Sequence, residues 1–172
     1  MILPKAAPAR WRWTECQRVR AGHVAFEKEG ESHRSLLAFG DTTASHLVAM
    51  EPARGLPRAQ WPDSGKRVLE FDVADSLELE LGEPIAADSP RINLIGCVGV
   101  SESGPVLCAL GGVDRWGEVP EYFHLASWKP LGLSYPGVLD ALWFAQWQLV
   151  YRDGDGAQLR LLGSPSVSGA QV

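Results

Sequence analysis

Few groupings in this chain have the residue types and spacing that catalysis or metal binding needs. Gly99-Val100-Ser101-Glu102-Ser103 comes nearest to a nucleophile elbow, the sharp strand-to-helix turn that exposes a reactive serine. Ser103 stands where the closing glycine belongs, however, and the surroundings read as a hairpin. The histidines His23, His33, His46 and His124 have no metal-ligand spacing, and Glu121-x-x-His124 is a di-iron type of pair with no duplicate on a second helix. Asp153-Gly154-Asp155-Gly156 lacks the third acid and the last glutamate of a calcium loop, and reads as a hairpin turn. Cys16, Cys97 and Cys108 are odd in number, lack C-x-x-C spacing and sit among apolar residues, which suits small buried hydrophobes; Cys97 and Cys108 could still meet across a hairpin. Gly111-Gly112 stands alone and reads as a turn, with no phosphate-binding loop around it. No catalytic residue, metal or cofactor is called for, although a small enzyme with a site assembled from distant residues would escape such a search.

The carboxylates carry a stronger signal. From Val68 to Phe123 there are eleven Asp or Glu against two basic residues, Arg91 and Arg115, so the net charge of −5 comes from the middle third of 172 residues. Residues 1–67 instead hold eleven basic and seven acidic residues. In Val68-Leu69-Glu70-Phe71-Asp72-Val73 and Leu77-Glu78-Leu79-Glu80-Leu81 acid alternates with apolar, the period of half-buried strands. A hairpin pairing Val73 with Leu77 would place Asp72 opposite Glu78 and Glu70 opposite Glu80 outside. Such like-charge pairs cost a few tenths to about 1 kcal/mol each unless a cation or basic partner neutralises them. A solvated face that discourages edge-to-edge aggregation is the plain reading, and a docking surface for a basic protein the functional one. The latter requires that Arg10, Arg12, Arg18 and Arg20 do not fold over the acidic middle and cancel it.

The elements that would position these residues follow from periodicity. Trp11 and Trp13 alternate with Arg10 and Arg12, as in an amphipathic strand with both tryptophans inward; the alternative, stacking on single-stranded nucleic acid, suits a net acidic chain poorly. His23 to Glu29 and Ser35 to Phe39 read as a hairpin, and His46 to Met50 as a further strand. Residues 51–66, with Pro52, Gly55, Pro57, Pro62 and Gly65, read as a long loop or internal boundary. Ile92 to Val100 and Pro105 to Leu110 make an apolar, doubly covered pair of strands. Ser134 as cap, Pro136 in the first turn, and Leu139, Leu142, Trp143 and Trp147 on one face predict a buried helix from Ser134 to Trp147. Leu149 to Arg152 and Gln158 to Leu162 form a last hairpin, and 164–172 a disordered tail. The expected fold is one α+β domain over 1–163, a mostly antiparallel sheet with one principal C-terminal helix packed on it.

Met1-Ile-Leu-Pro4 is too short for a signal-peptide core, and no run of eighteen apolar residues occurs, so a cytoplasmic location away from membranes is expected.

Gly104-Pro-Val-Leu-Cys-Ala-Leu-Gly-Gly112, Gly117-Glu-Val-Pro-Glu-Tyr-Phe123 and Ser127-Trp-Lys-Pro-Leu-Gly-Leu-Ser-Tyr-Pro-Gly-Val-Leu139 together resemble the closing half of SUKH-type immunity domains and of a related uncharacterised bacterial family. The resemblance spans about residues 104–147. It implies a strand ending in a glycine turn, a strand through an aromatic pair, and a helix opened by a polar residue. It also implies a mostly non-enzymatic antidote that binds and blocks a toxin, and such toxins are often basic. The expectation is therefore a non-catalytic bacterial immunity protein that binds a cognate basic toxin effector through Glu70, Asp72, Glu78, Glu80, Asp114, Glu118 and Glu121, with Trp116, Tyr122 and Phe123 as flanking aromatics. A structural or assembly adaptor of a phage or secretion system is the remaining alternative.

Overall fold

A computed structural model describes residues 11–51, 53–73, 77–86, 93–115, 117–134, 137, 140–152, 156 and 158–164, with the backbone alone at 29, 113 and 114. In chain order the strands are β1 (Trp11–Glu15), β2 (Val24–Glu29), β3 (Ser32–Gly40), β4 (Ala44–Glu51), β5 (Leu56–Gln60), β6 (Arg67–Phe71), β7 (Leu77–Leu81), β8 (Val98–Ser101), β9 (Gly104–Asp114), β10 (Gly117–His124), β11 (Lys129–Gly132), β12 (Leu142–Phe144), β13 (Trp147–Arg152) and β14 (Gln158–Gly163). A 3-10 turn, Cys16–Arg18, follows β1.

The main sheet runs β1-β6-β2-β3-β4-β5-β9-β10-β11. Its longest strand, β9, shares one edge between β8, antiparallel from Gly104 to Leu107, and β5, parallel at Leu110. A separate sheet, β14-β13-β7, faces it. The β10–β11 turn returns to β3, where the Gly40 N–H donates to Trp128 O at 2.9 Å, so β3, β4, β5, β9, β10 and β11 curl into an incomplete barrel. Phe39 lies inside it, 4.8 Å from the Phe123 ring and 5.4 Å from that of Trp128. Alternation then fills three cores. Val24, Phe26, Leu37, Phe39, Val48, Phe71, Leu107 and Phe123 pack against Trp147, Leu149, Tyr151 and Leu161 of the small sheet. The opposite face, Ala25, Leu36, Ala38, Leu47 and Val68, is covered by Cys16 and Val19, and beyond it Val106, Cys108 and Tyr122 meet Cys97 and Trp143.

The expected α+β class is wrong: among the described residues the chain is nearly all β and has no α-helix. Residues 135, 136, 138 and 139 of the predicted helix lie outside the described residues, but 142–144 form β12 and Trp147 opens β13. Leu142, placed on the buried face of that helix, is 63 % exposed, whereas Trp143 is 7 % exposed, the alternation of a strand paired on β8. Trp143 and Trp147 are four apart and both buried because they enter two different cores, not because they share a helix face. Among the described residues the helix implied by the family resemblance is likewise absent.

Several local readings hold. The β2–β3 hairpin turns at Gly30-Glu31, β8 and β9 pair around Glu102-Ser103 with β9 covered on both faces, although β8 starts only at Val98 and 93–97 are not strand, and β13 pairs with β14. Others need correcting. The segment 51–66 contains β5, which joins β4 to β9, so it is built into the sheet. Gly111-Gly112 lies within β9 at a bulge against Val119 and Pro120, not in a turn. Trp11 stacks on Phe71 at 4.3 Å as expected, but Trp13 is exposed under the Arg67 guanidinium. Ser164 is no part of a loose tail: it is buried, its N–H donates to Trp147 O at 2.9 Å and its Oγ accepts from Trp147 N–H at 3.1 Å. Residues 165–172 and the 153–155 turn lie outside the described residues. Cys16, Cys97 and Cys108 are buried free thiols, with the Cys108 N–H donating to Cys97 O at 3.0 Å. Among the described residues no helix is long and apolar enough to cross a membrane.

Candidate functional site

The acidic hairpin does not form. β6 pairs with β1 and β2, and β7 with β13, so the chain passes from one sheet to the other between Val73 and Leu77. The observed register sets Arg12 opposite Glu70 and Gln148 opposite Glu80, which replaces the unfavourable carboxylate pairs with attractive ones. Glu70, expected outside, is 1 % exposed. Its Oε2 accepts from Arg12 Nε at 2.8 Å and Nη2 at 2.5 Å, and its Oε1 accepts from the Arg20 N–H at 2.8 Å. His23 Nδ1 lies 3.1 Å from the same Oε1 but makes no hydrogen bond, and Asp72 is 3.8 Å from His23 Nε2. Burial, reinforced by the Arg20 charge, holds the His23 imidazole below its ordinary pKa, so this knot is a buried carboxylate neutralised by arginine beside a neutral histidine.

The remaining carboxylates occupy other places. Arg152 pairs with both Glu78 and Glu80 on the small sheet, reaching Glu80 at 2.8 Å, and Gln148 donates to Glu80. Glu118 is gripped at both oxygens by Arg54, whose hydrogen bonds hold its carboxyl below the usual range. Tyr122 is buried; its hydroxyl is hydrogen-bonded to the Cys108 thiol, and burial pushes both groups up to about 12. Phe123 is in the main core. The side chain of Asp114 and the whole of Trp116 lie outside the described residues. The expected face is thus distributed over the Arg12 knot, the small sheet and β10, with basic groups already in contact at each.

A different constellation forms at the barrel mouth. Trp61, directly after β5, is 75 % exposed, yet its ring rests on His46 with centroids 4.6 Å apart. His46 points into the barrel from β4, with Phe123 at 5.7 Å and Glu121 Oε1 at 3.0 Å from its Nε2. Its Nδ1 is 3.0 Å from Ser45 Oγ. Glu121 fits only because residue 111 is glycine, since a Cβ there would stand 2.8 Å from the Glu121 Cβ. An acid, an imidazole and an exposed indole therefore stack outward from β10 and β4 to the surface. Trp61 and Ser45 were not singled out from sequence, and His46 was read as ordinary. A tryptophan followed by Pro62 in a polar loop was the available signal for Trp61, whereas the meeting of His46 with Glu121 depends on the curl that brings β4 near β10. A second feature is a cleft of about 370 Å³ between Asn93, Leu94 and Ile95 and Glu118, Pro120 and Tyr122 of β10. Among the described residues no group of His, Cys, Asp and Glu is arranged to hold a metal. No protein-family model matches the chain, and no curated protein or solved structure is significantly similar to it.

Proposed function

We propose that this chain is a binding protein that docks a protein partner through an aromatic anchor, Trp61, and that its role is the antidote role implied by the SUKH-type resemblance: a cytoplasmic protein that covers a toxin effector. The observation that carries the reading is the exposure of a large indole on a fixed base. Trp61 offers one ring face and its edge to solvent while the other face is held by His46, itself tied to Glu121. Tryptophan is enriched among the few residues that dominate protein interfaces, and a side chain already ordered loses less entropy on binding.

Charge has a smaller part in this proposal than the sequence suggests. The cations of residues 12, 20, 54 and 152 already meet Glu70, Glu118, Glu78 and Glu80. The pairs at Glu118 and Glu78 are exposed and exchange readily with a partner's cations, so they adjust specificity and encounter rate more than affinity. The test is affinity of the captured partner for Trp61→Ala. The expected loss is at least about 2 kcal/mol, roughly 30-fold, at an unchanged melting temperature. Unchanged affinity would end the proposal.

A further inference from the structure

Ser45 and His46 are consecutive in β4, and the serine Oγ lies 3.0 Å from Nδ1 of its neighbour's imidazole. The other ring nitrogen, Nε2, faces Glu121 Oε1 at 3.0 Å. With the ring proton on Nε2, the nitrogen that faces the carboxylate, Nδ1 presents a lone pair to the hydroxyl. Phe123 and Trp61 hold the ring in place, and the space at Gly111 holds Glu121. In this resting arrangement the hydroxyl also reaches Phe39 O, at the longer distance of 3.3 Å. Hydroxyl, imidazole and carboxylate in this order are the parts of an activated serine, which is recognised by geometry and roles and not by chain order.

Ser45 also lines a solvent-open cleft of about 390 Å³ with Gly40, Asp41, Thr42, Thr43, Lys129 and Pro130. The Lys129 ammonium is 3.2 Å from Asp41, but both side chains are largely exposed, so the pair is weak and the cation is available to an anion in the cleft.

The geometry points to Ser45 as a nucleophile toward small carboxylic esters, with His46 as its base, Glu121 as the residue that positions His46, and Lys129 as the partner of the oxyanion. Ser45 Oγ bonds to the carbonyl carbon as its proton passes to His46 Nδ1, and the carbonyl electron pair moves onto oxygen beside Lys129. Return of that pair breaks the bond to the alcohol oxygen, and the alcohol leaves with the proton from Nδ1. Water attacks the acyl-serine, gives a proton to the same nitrogen, and releases the acid while Ser45 regains its hydrogen. This activity goes beyond the docking role of Trp61 and does not rest on it.

The test is reaction of the full chain with a fluorophosphonate, which phosphonylates an activated serine with loss of fluoride, followed by intact-mass measurement and peptide mapping. One adduct per chain is expected at Ser45, absent in Ser45→Ala. His46→Gln should slow its formation by about 100-fold or more, as loss of a general base does. Glu121→Gln should slow it at an unchanged melting temperature, and Glu121→Asp should restore part of the rate, an outcome that separates positioning from simple packing. No adduct on the folded wild-type chain, an adduct elsewhere, or an unchanged rate in His46→Gln overturns the assignment. Should His46→Gln fail to fold, the wild-type and Ser45→Ala results still decide it.

Discussion

Arg12 on β1 and Glu70 on β6, 58 residues apart, are direct cross-strand partners, and the guanidinium meets a carboxylate that is 1 % exposed. This contact folds the basic first part of the chain onto its acidic middle. The field that would have drawn a basic partner to Glu70 is thereby spent inside the molecule.

Arg12 is 52 % exposed and rehydrates when alone, whereas Glu70 does not. Arg12→Ala should therefore destabilise the fold by about 1–3 kcal/mol, the scale for a buried acceptor left partly unsatisfied, because the Arg20 N–H and guanidinium remain on the other carboxylate oxygen. Arg54→Ala, which frees the exposed Glu118, should leave the midpoint of chemical denaturation almost unmoved. Equal shifts in the two variants would show that burial gives the Arg12–Glu70 contact no special weight.

His23 gives stability a pH dependence of definite sign. Burial lowers its pKa from 6.5, so between the lowered folded value and 6.5 the unfolded chain binds more protons than the folded one. Its contribution is fully present above that window and is lost as pH falls through it. Melting curves from pH 7 down to roughly pH 5, where histidines titrate, should fall less steeply for His23→Gln than for the wild-type chain. Parallel curves would contradict the neutral, buried state assigned to this imidazole.

Gly99 is the cross-strand partner of Trp143, and a Cβ there would stand 2.9 Å from three atoms of the indole. Gly99→Ala should push Trp143 out of its core at a cost of about 1–3 kcal/mol, the usual range for overpacking. Red-shifted tryptophan emission with a lower melting temperature is the expected result. Unchanged emission and stability would mean that β12 does not pack on β8 as described.

Periodicity was legible wherever one strand met one core. The alternations in Val68–Phe71 and Leu77–Leu81, the β2–β3 turn and the β13–β14 pair were readable because each is set by neighbours in sequence. Partner choice was not. β6 and β7 have only five residues between Phe71 and Leu77, yet they separate into different sheets because Arg12 and Gln148, distant in sequence, offer Glu70 and Glu80 better neighbours than another carboxylate. The false helix has a related origin: a four-residue spacing of Trp143 and Trp147 has the same appearance whether one helix or two cores bury them. Of the candidate site, only Glu121 was singled out beforehand, as a surface acid. Its pairing with His46 beneath Trp61 is a product of barrel curvature, which leaves no local mark in the sequence.

The most direct test is paired affinity capture with the tagged wild-type chain and Trp61→Ala, washed at low and then high salt and followed by mass spectrometry. One stoichiometric protein kept by the wild-type chain at both salt concentrations and absent from Trp61→Ala is the predicted result. A protein retained equally by Trp61→Ala, or released from the wild-type chain by salt alone, would contradict docking on the indole and return the interface to the exposed carboxylates.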